Sequence, residues 1–258
     1  MIDPKQIEQF YPPELRQFKK NIFREYLQYK ILEIIFDSPF GKSLSFMGGT
    51  AIHIIHGLHR FSEDLDFDNQ GLSQSDFKDL GKLIKDKLTL EGYKIETKTV
   101  FKKAHRLYLT FHNVLYTNKI SPHKDAVLLI RVDAQPQNFK YETSKAIINK
   151  FDIFSQILAV PIDILLSQKI SCLFSRPRLM GRDFYDIIFL LGKTKPNLNY
   201  LKAKLKIKDK TELKEKLLKK CQGLDYKQLS KDIEAFLFSP GEKKKVLLFY
   251  DYLKEISL

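Results

Sequence analysis

Apolar residues recur at helical spacing at Leu15, Phe18, Ile22 and Tyr26 and continue through Ile31, Leu32 and Ile35, predicting an amphipathic helix that ends near Phe36. Pro12-Pro13 mark its entrance and Ser38-Pro39-Phe40-Gly41 its exit. Leu44 and Phe46 alternate with Ser43 and Ser45, the pattern of a short strand, and the run from Ala51 to Leu58 has the length of about two helical turns. Ser75 or Asp76 is then expected to cap a helix carrying Phe77, Leu80, Leu83, Ile84 and Leu88, closed by Gly92. Strands are predicted at Ile95 to Val100, at Leu107 to Phe111, where apolar residues alternate with Tyr108 and Thr110, and in the dense segment AVLLIRVD from Ala126 to Asp133. From Pro161 onward the pattern is helical: a stripe of Ile162, Leu165, Leu166, Ile170 and Leu173 ends at Pro177, and another helix runs from Arg182 to Leu191. Leu201, Leu205, Leu213, Leu217, Leu229 and Ile233 extend that pattern, with a last helix near Val246 to Tyr250. The chain therefore reads as a mixed α/β domain, residues 1–150, followed by an all-helical domain, residues 151–258, with the break placed between Tyr141 and Asp163.

The most informative stretch is FMGGTAIHIIHGLHRFSEDLDFD, from Phe46 to Asp68. Successive side chains on a strand point to opposite faces, so Asp64, Asp66 and Asp68 share one face. Like charges that close raise each other's pKa unless a cation sits among them, and an all-oxygen ligand set suits a hard divalent ion such as magnesium. In a turn of Gly48, Gly49 and Thr50 the two glycines carry no Cβ to keep a phosphate from the backbone N–H groups, and the helix after it would point its N-terminus at the same anion.

Three later features carry charge into apolar patterns. Arg131 and Asp133 share a face of the Ala126 to Asp133 strand, where they can pair with each other. Lys169 falls inside the apolar stripe of its helix, and Arg176 lies two turns along the same face; a buried ammonium needs an anion, which can be protein or phosphate. Arg182 and Asp186 stand four apart, the spacing of a helical ion pair worth a few tenths of a kcal/mol.

Composition narrows the class. No apolar run approaches the roughly 20 residues that cross a bilayer, the N-terminus lacks a basic-then-apolar leader, and Cys172 and Cys221 give neither a disulfide framework nor a metal spacing. A cytoplasmic protein without a membrane partner is expected. The formal charge of +13 favours a polyanionic partner. Between Lys193 and Lys220 stand 11 lysines against Asp209, Glu212 and Glu215, so +8 of that charge is concentrated there, either as a solvated helical face or as a surface that positions RNA phosphates.

GGTAI followed by RFSEDLDF resembles the first motif of the AbiEii-type nucleotidyltransferase toxins, the toxin half of type IV toxin–antitoxin and abortive-infection pairs within the polymerase-β-like superfamily. Arg131-Val132-Asp133 is similar to the second motif, with arginine where lysine is usual, and Lys169 with Arg176, then Arg182-Asp183-Phe184-Tyr185-Asp186, look like the third and fourth. The resemblance implies a polymerase-β-like α/β core followed by helices, with the active site in the cleft between the two domains. It implies that Asp64, Asp66 and Asp133 hold two magnesium ions and that Asp133 also serves as general base. Gly48, Gly49 and Thr50, with Arg60 and Ser62, would bind the nucleoside triphosphate. Lys169 would contact the triphosphate and act in catalysis with Asp186; Arg176 and Arg182 would help bind the nucleotide, and Arg182 with Asp186 would shape the site wall. Asp163 takes no role, because the family's acid stands closer to the lysine. The implied reaction transfers a nucleoside monophosphate from an NTP to an acceptor hydroxyl, a tRNA 3′ end in some members, and the implied protein partner is a cognate antitoxin. A small-molecule nucleotidyltransferase uses the same carboxylates, a metal-dependent nuclease could share Asp64, Asp133 and a lysine, and a basic RNA-binding module would need none of them.

Overall fold

The computed structural model describes residues 3–258. The chain divides into two units: the first takes the chain up to His56, Phe61–Asn138 and Thr143–Val160, and the second takes Gly57–Arg60, Phe139–Glu142 and Pro161–Leu258.

The first unit is built on a seven-stranded mixed sheet. Its strands are β1 (Leu44–Met47), β2 (Leu65–Asn69), β3 (Lys94–Phe101), β4 (His105–His112), β5 (Leu128–Gln135), β6 (Ser144–Lys150) and β7 (Ile153–Ala159), in the order β3-β4-β5-β2-β1-β7-β6. The β2–β5 and β1–β7 pairs are parallel and the other four antiparallel. Its helices are α1 (Pro4–Gln9), α2 (Lys19–Phe36), α3 (Gly48–His56), α4 (Gln74–Leu90) and the single turn α5 (Val114–Thr117). Alternation sets one face inward: Leu107, Leu109 and Phe111 of β4 and Leu128, Ile130 and Val132 of β5 are buried. Burial of such side chains contributes about 1.5–3 kcal/mol each.

Several expected boundaries move. Pro13–Leu15 form a 3₁₀ turn, and α2 starts only at Lys19. This helix is not amphipathic in its setting, since its polar residues Arg24, Glu25, Gln28 and Lys30 are buried along with its apolar ones. Each has a partner: Arg24 pairs with Glu63 at 2.9 Å, Lys30 with Glu91 at 3.0 Å, and Gln28 donates to the Ser62 carbonyl at 3.1 Å. Glu25 is held by His53 Nε2 and Lys150 Nζ, both at 2.8 Å. Burial alone would raise the Glu25 pKa, but His53 and Lys150 bring it down to about 2. The cap of α4 is Ser73 rather than Ser75 or Asp76: its side chain accepts from the Asp76 N–H while the Asp76 carboxylate accepts from the Ser73 N–H, a capping box. Phe151 and Asp152 form the turn of the β6–β7 hairpin, and the first unit's last segment runs through β7 to Val160.

The second unit is helical: α6 (Ile162–Ser175), α7 (Gly181–Leu191), α8 (Leu198–Leu205), α9 (Lys210–Cys221), α10 (Tyr226–Glu234), α11 (Lys244–Leu247) and α12 (Phe249–Glu255). Its core gathers Leu166, Leu173, Phe184, Leu190, Leu217, Ile233 and Phe249. α7 opens on glycine because a Cβ there would overlap the Leu229 carbonyl of α10. No helix among the described residues is long and apolar enough to cross a membrane.

Candidate active site

Parallel pairing of β2 with β5 brings two of the expected carboxylates together. Asp66 and Asp133 are direct Cα partners, so their side chains leave the same face of the sheet. One strand further, Arg106 of β4 is the partner of Asp133. Asp64 stands just before β2, and its Oδ2 accepts from Arg131 Nη2 at 2.7 Å. The same guanidinium approaches Asp133, with Nε 3.3 Å from Oδ2. Arg131 therefore lies between two of the three expected ligands, where the sequence suggested only a pair with Asp133. Asp68 shares the face but is buried, and its Oδ1 accepts from the Gln137 N–H at 2.8 Å.

The glycine segment is not a separate turn. β1 ends at Met47 and α3 begins at Gly48, so one left-handed residue, Gly48 at φ +79°, makes the whole reversal. A Cβ on Gly48 would overlap Asp66 Oδ2, which places the Asp66 carboxylate against the start of α3. Gly49 and Thr50 belong to the first turn of α3 and are buried. The Thr50 hydroxyl donates to the Asp64 carbonyl, fixing the chain where it enters β2. The carbonyl of Ser62 is tied to α2 through Gln28. The N-terminus of α3, the Thr50 hydroxyl and α2 together set the position of the acidic segment.

Asp133 is half-buried and incompletely satisfied. Its Oδ1 is shielded from solvent and has no hydrogen-bond partner. Burial raises its pKa against the opposing pull of Arg131 and Arg106, and Asp64 adds to the rise. Among the described residues no three His, Cys, Asp or Glu side chains are gathered into a ready metal cage. The donors nonetheless fit a hard divalent cation: two carboxylates in register on adjacent strands, one with a buried oxygen that lacks a partner.

In the second unit, the remaining expected residues form one buried ion cluster. Arg60 grips Asp186 with both ends of its fork, Nε to Oδ1 at 2.8 Å and Nη2 to Oδ2 at 2.7 Å. Lys169 Nζ lies 2.7 Å from Asp186 Oδ2 and 3.4 Å from Asp183 Oδ1, and Arg176 Nη1 is 3.1 Å from Asp183 Oδ2. Burial would lower the Lys169 pKa, yet Asp186 and Asp183 raise it; burial would raise that of Asp186, yet Arg60 and Lys169 depress it. The anion that buried Lys169 requires is thus supplied by protein. Asp186 turns to Arg60 and Lys169 instead of Arg182, which stays half-buried on α7. Asp163 accepts from Asn197 Nδ2 at 2.8 Å, away from this cluster.

Two participants escaped the sequence. Arg106, with Nε 3.5 Å from Asp133 Oδ2, could have been placed on the outward face by alternation with Leu107, but its register with Asp133 has no sequence signal. Asp183 adjoins Arg182, and nothing local marks it as the acid shared by Lys169 and Arg176. The lysine-rich stretch closes around a groove of about 730 Å³, where Lys204, Lys206, Lys216, Lys219 and Lys220 surround Phe174, Leu205 and Ile207.

Comparison with known proteins bears on the family and the fold. The family model described as nucleotidyl transferase AbiEii toxin, Type IV TA system, matches residues 30–245. The crystal structure of JHP933 from Helicobacter pylori superposes with a TM-score of 0.57 at 16% identity, covering 91% of this chain and 90% of that one. A second H. pylori structure, of a "putative nucleotidyltransferase", gives a TM-score of 0.53 at 17% identity over 91% and 96% of the two chains. At these identities the likeness is one of fold. No curated protein sequence matches the chain.

Proposed function

Because the chain belongs to the AbiEii nucleotidyl transferase toxin family of type IV toxin–antitoxin systems, we propose that it transfers a nucleoside monophosphate from an NTP to the 3′ hydroxyl of an RNA, a tRNA being the favoured acceptor, and that a cognate antitoxin restrains it. The observation that carries this reading is the in-register pair Asp66 and Asp133 with its unsatisfied buried oxygen.

A divalent ion, magnesium by ligand type, held by Asp66 and Asp133 would supply Lewis-acid stabilisation of charge on the transferring phosphoryl group. The chain's own groups do the rest. The N-terminus of α3, at Gly48 and Gly49, offers backbone N–H groups and a dipole to the triphosphate. Asp133 accepts the proton of the acceptor hydroxyl, whose oxygen bonds to the α-phosphorus as the bond to the departing pyrophosphate breaks. Arg131 holds Asp64 and steadies Asp133 from the side. In this account Lys169, Arg60 and Asp186 position the second unit's helices and do not touch the nucleotide. The acceptor class is supported by the net charge of +13 and the lysine-lined groove.

Incubation with α-labelled NTPs and total tRNA, with and without a chelator, tests the reading. The expected outcome is label on RNA with release of pyrophosphate, abolished by chelation and restored by magnesium. Cleaved strands without pyrophosphate would indicate a nuclease, and label on small molecules alone would indicate a different acceptor.

A further inference from the structure

We infer that the solvent-facing side of β3, β4 and β5 is a track for a single-stranded nucleic-acid acceptor, which leads its 3′ end over Arg106 to Asp133; this rests on the transferase reading above. Strand register makes this face continuous with the carboxylates. Arg106 lies between Val100 and Asp133, and the next row outward runs Lys98, Tyr108, Arg131. A third row is Glu96, Thr110, Leu129. Lys98, Lys102, Arg106, Tyr108 and Leu129 line a groove of about 610 Å³ within the first unit, and Arg131 and Asp133 continue the same face beside it.

The face is not composed like an ordinary solvated sheet surface. Lys98 and Lys102 are exposed, and Arg106 adds a third cation. Glu96 is the one acid among the residues lining the groove, so these three cations leave its balance positive. Leu129 is 46% exposed beside half-buried Tyr108, an apolar and aromatic pair suited to the face of a nucleobase. Arg106 Nε and Arg131 Nε are shielded from solvent and make no hydrogen bond, although both stand near Asp133 Oδ2. The two side chains keep 43% and 36% of their surface exposed, so where this face meets the carboxylates the rest of each guanidinium is open to phosphate oxygens. Paired strands keep their bases stacked inside, so Tyr108 and Leu129 can engage only an unpaired segment.

The test is fluorescence polarisation on the full chain with a single-stranded RNA of about eight nucleotides, and with the same sequence as a duplex. Lys98→Gln/Lys102→Gln should weaken single-strand binding about tenfold and reduce the slope of log affinity against log salt by about 0.7 for each lysine. Tyr108→Ala should weaken it roughly tenfold, with Tyr108→Phe restoring it because the ring is what stacks. In the transfer assay these variants should raise KM for the RNA while KM for the NTP stays constant. Asp66→Ala should bind the RNA like the wild type. If no NTP supports transfer yet binding follows this pattern, the enzymatic reading fails and the track stands. Should transfer proceed while the Lys98, Lys102 and Tyr108 variants bind RNA normally, the track is wrong. Equal preference for duplex overturns it as well.

Discussion

Gly48 packs so tightly on Asp66 that any side chain at the first position would collide with the carboxylate at the second. Its left-handed backbone adds a second reason why only glycine fits, since an L-residue there costs roughly 1–2 kcal/mol. Gly48→Ala should therefore lower stability by about that amount and also displace Asp66. A misplacement of about 1 Å at a reacting centre costs on the order of 10²-fold in rate. Thermal unfolding and kcat for transfer measure the two effects separately; a variant with the stability loss and a wild-type kcat would show that Asp66 has no part in the chemistry.

The Asp186 cluster gives a prediction about stability. Asp186→Asn leaves buried Arg60 and Lys169 without their shared anion, which should cost about 3–5 kcal/mol. Lys169→Gln should also lower the melting temperature, while KM for the NTP in the folded protein changes by less than about threefold, a difference of some 0.6 kcal/mol. A steep rise in KM at unchanged stability would return Lys169 to the triphosphate.

Glu25 sets an acid limb. Its folded pKa of about 2 lies below the ordinary 4.5, so its contribution to stability is full above about pH 4.5 and disappears as pH falls toward 2. Glu25→Gln should remove about 3 kcal/mol at neutral pH, where His53 and Lys150 lose their buried acid, and little at pH 2, where Glu25 is itself half protonated. Denaturant melts of both proteins across that range decide it: parallel curves would mean that Glu25 is not the group that titrates.

How far the sequence could be read follows from the range of each interaction. Strands β1, β3 and β4 were legible because apolar and polar residues alternate along them, β2 through its alternate aspartates and β5 through its dense apolar run. The β6–β7 hairpin was not, since Ile147 and Phe154 point outward at 63% and 70% exposure and blur the alternation. The polar side of α2 read as solvent-facing for the same reason: the partners Glu63, His53, Lys150 and Glu91 lie far along the chain. At the site, the shared face of Asp66 and Asp68 follows from strand period alone. The neighbourhood of Asp66 and Asp133 depends on β2 pairing with β5, which no local pattern encodes. Arg60 and Asp186 are separated by 126 positions, and the nearer Arg182 made the wrong partner look sufficient.

The most direct measurement presents each α-labelled NTP in turn, with total RNA and magnesium, to the wild-type protein and to Asp66→Ala. The wild type should place label on an RNA 3′ end with pyrophosphate released in equal amount, and Asp66→Ala should be folded and inert. A folded Asp66→Ala protein that transfers label at the wild-type rate would contradict the account at its centre.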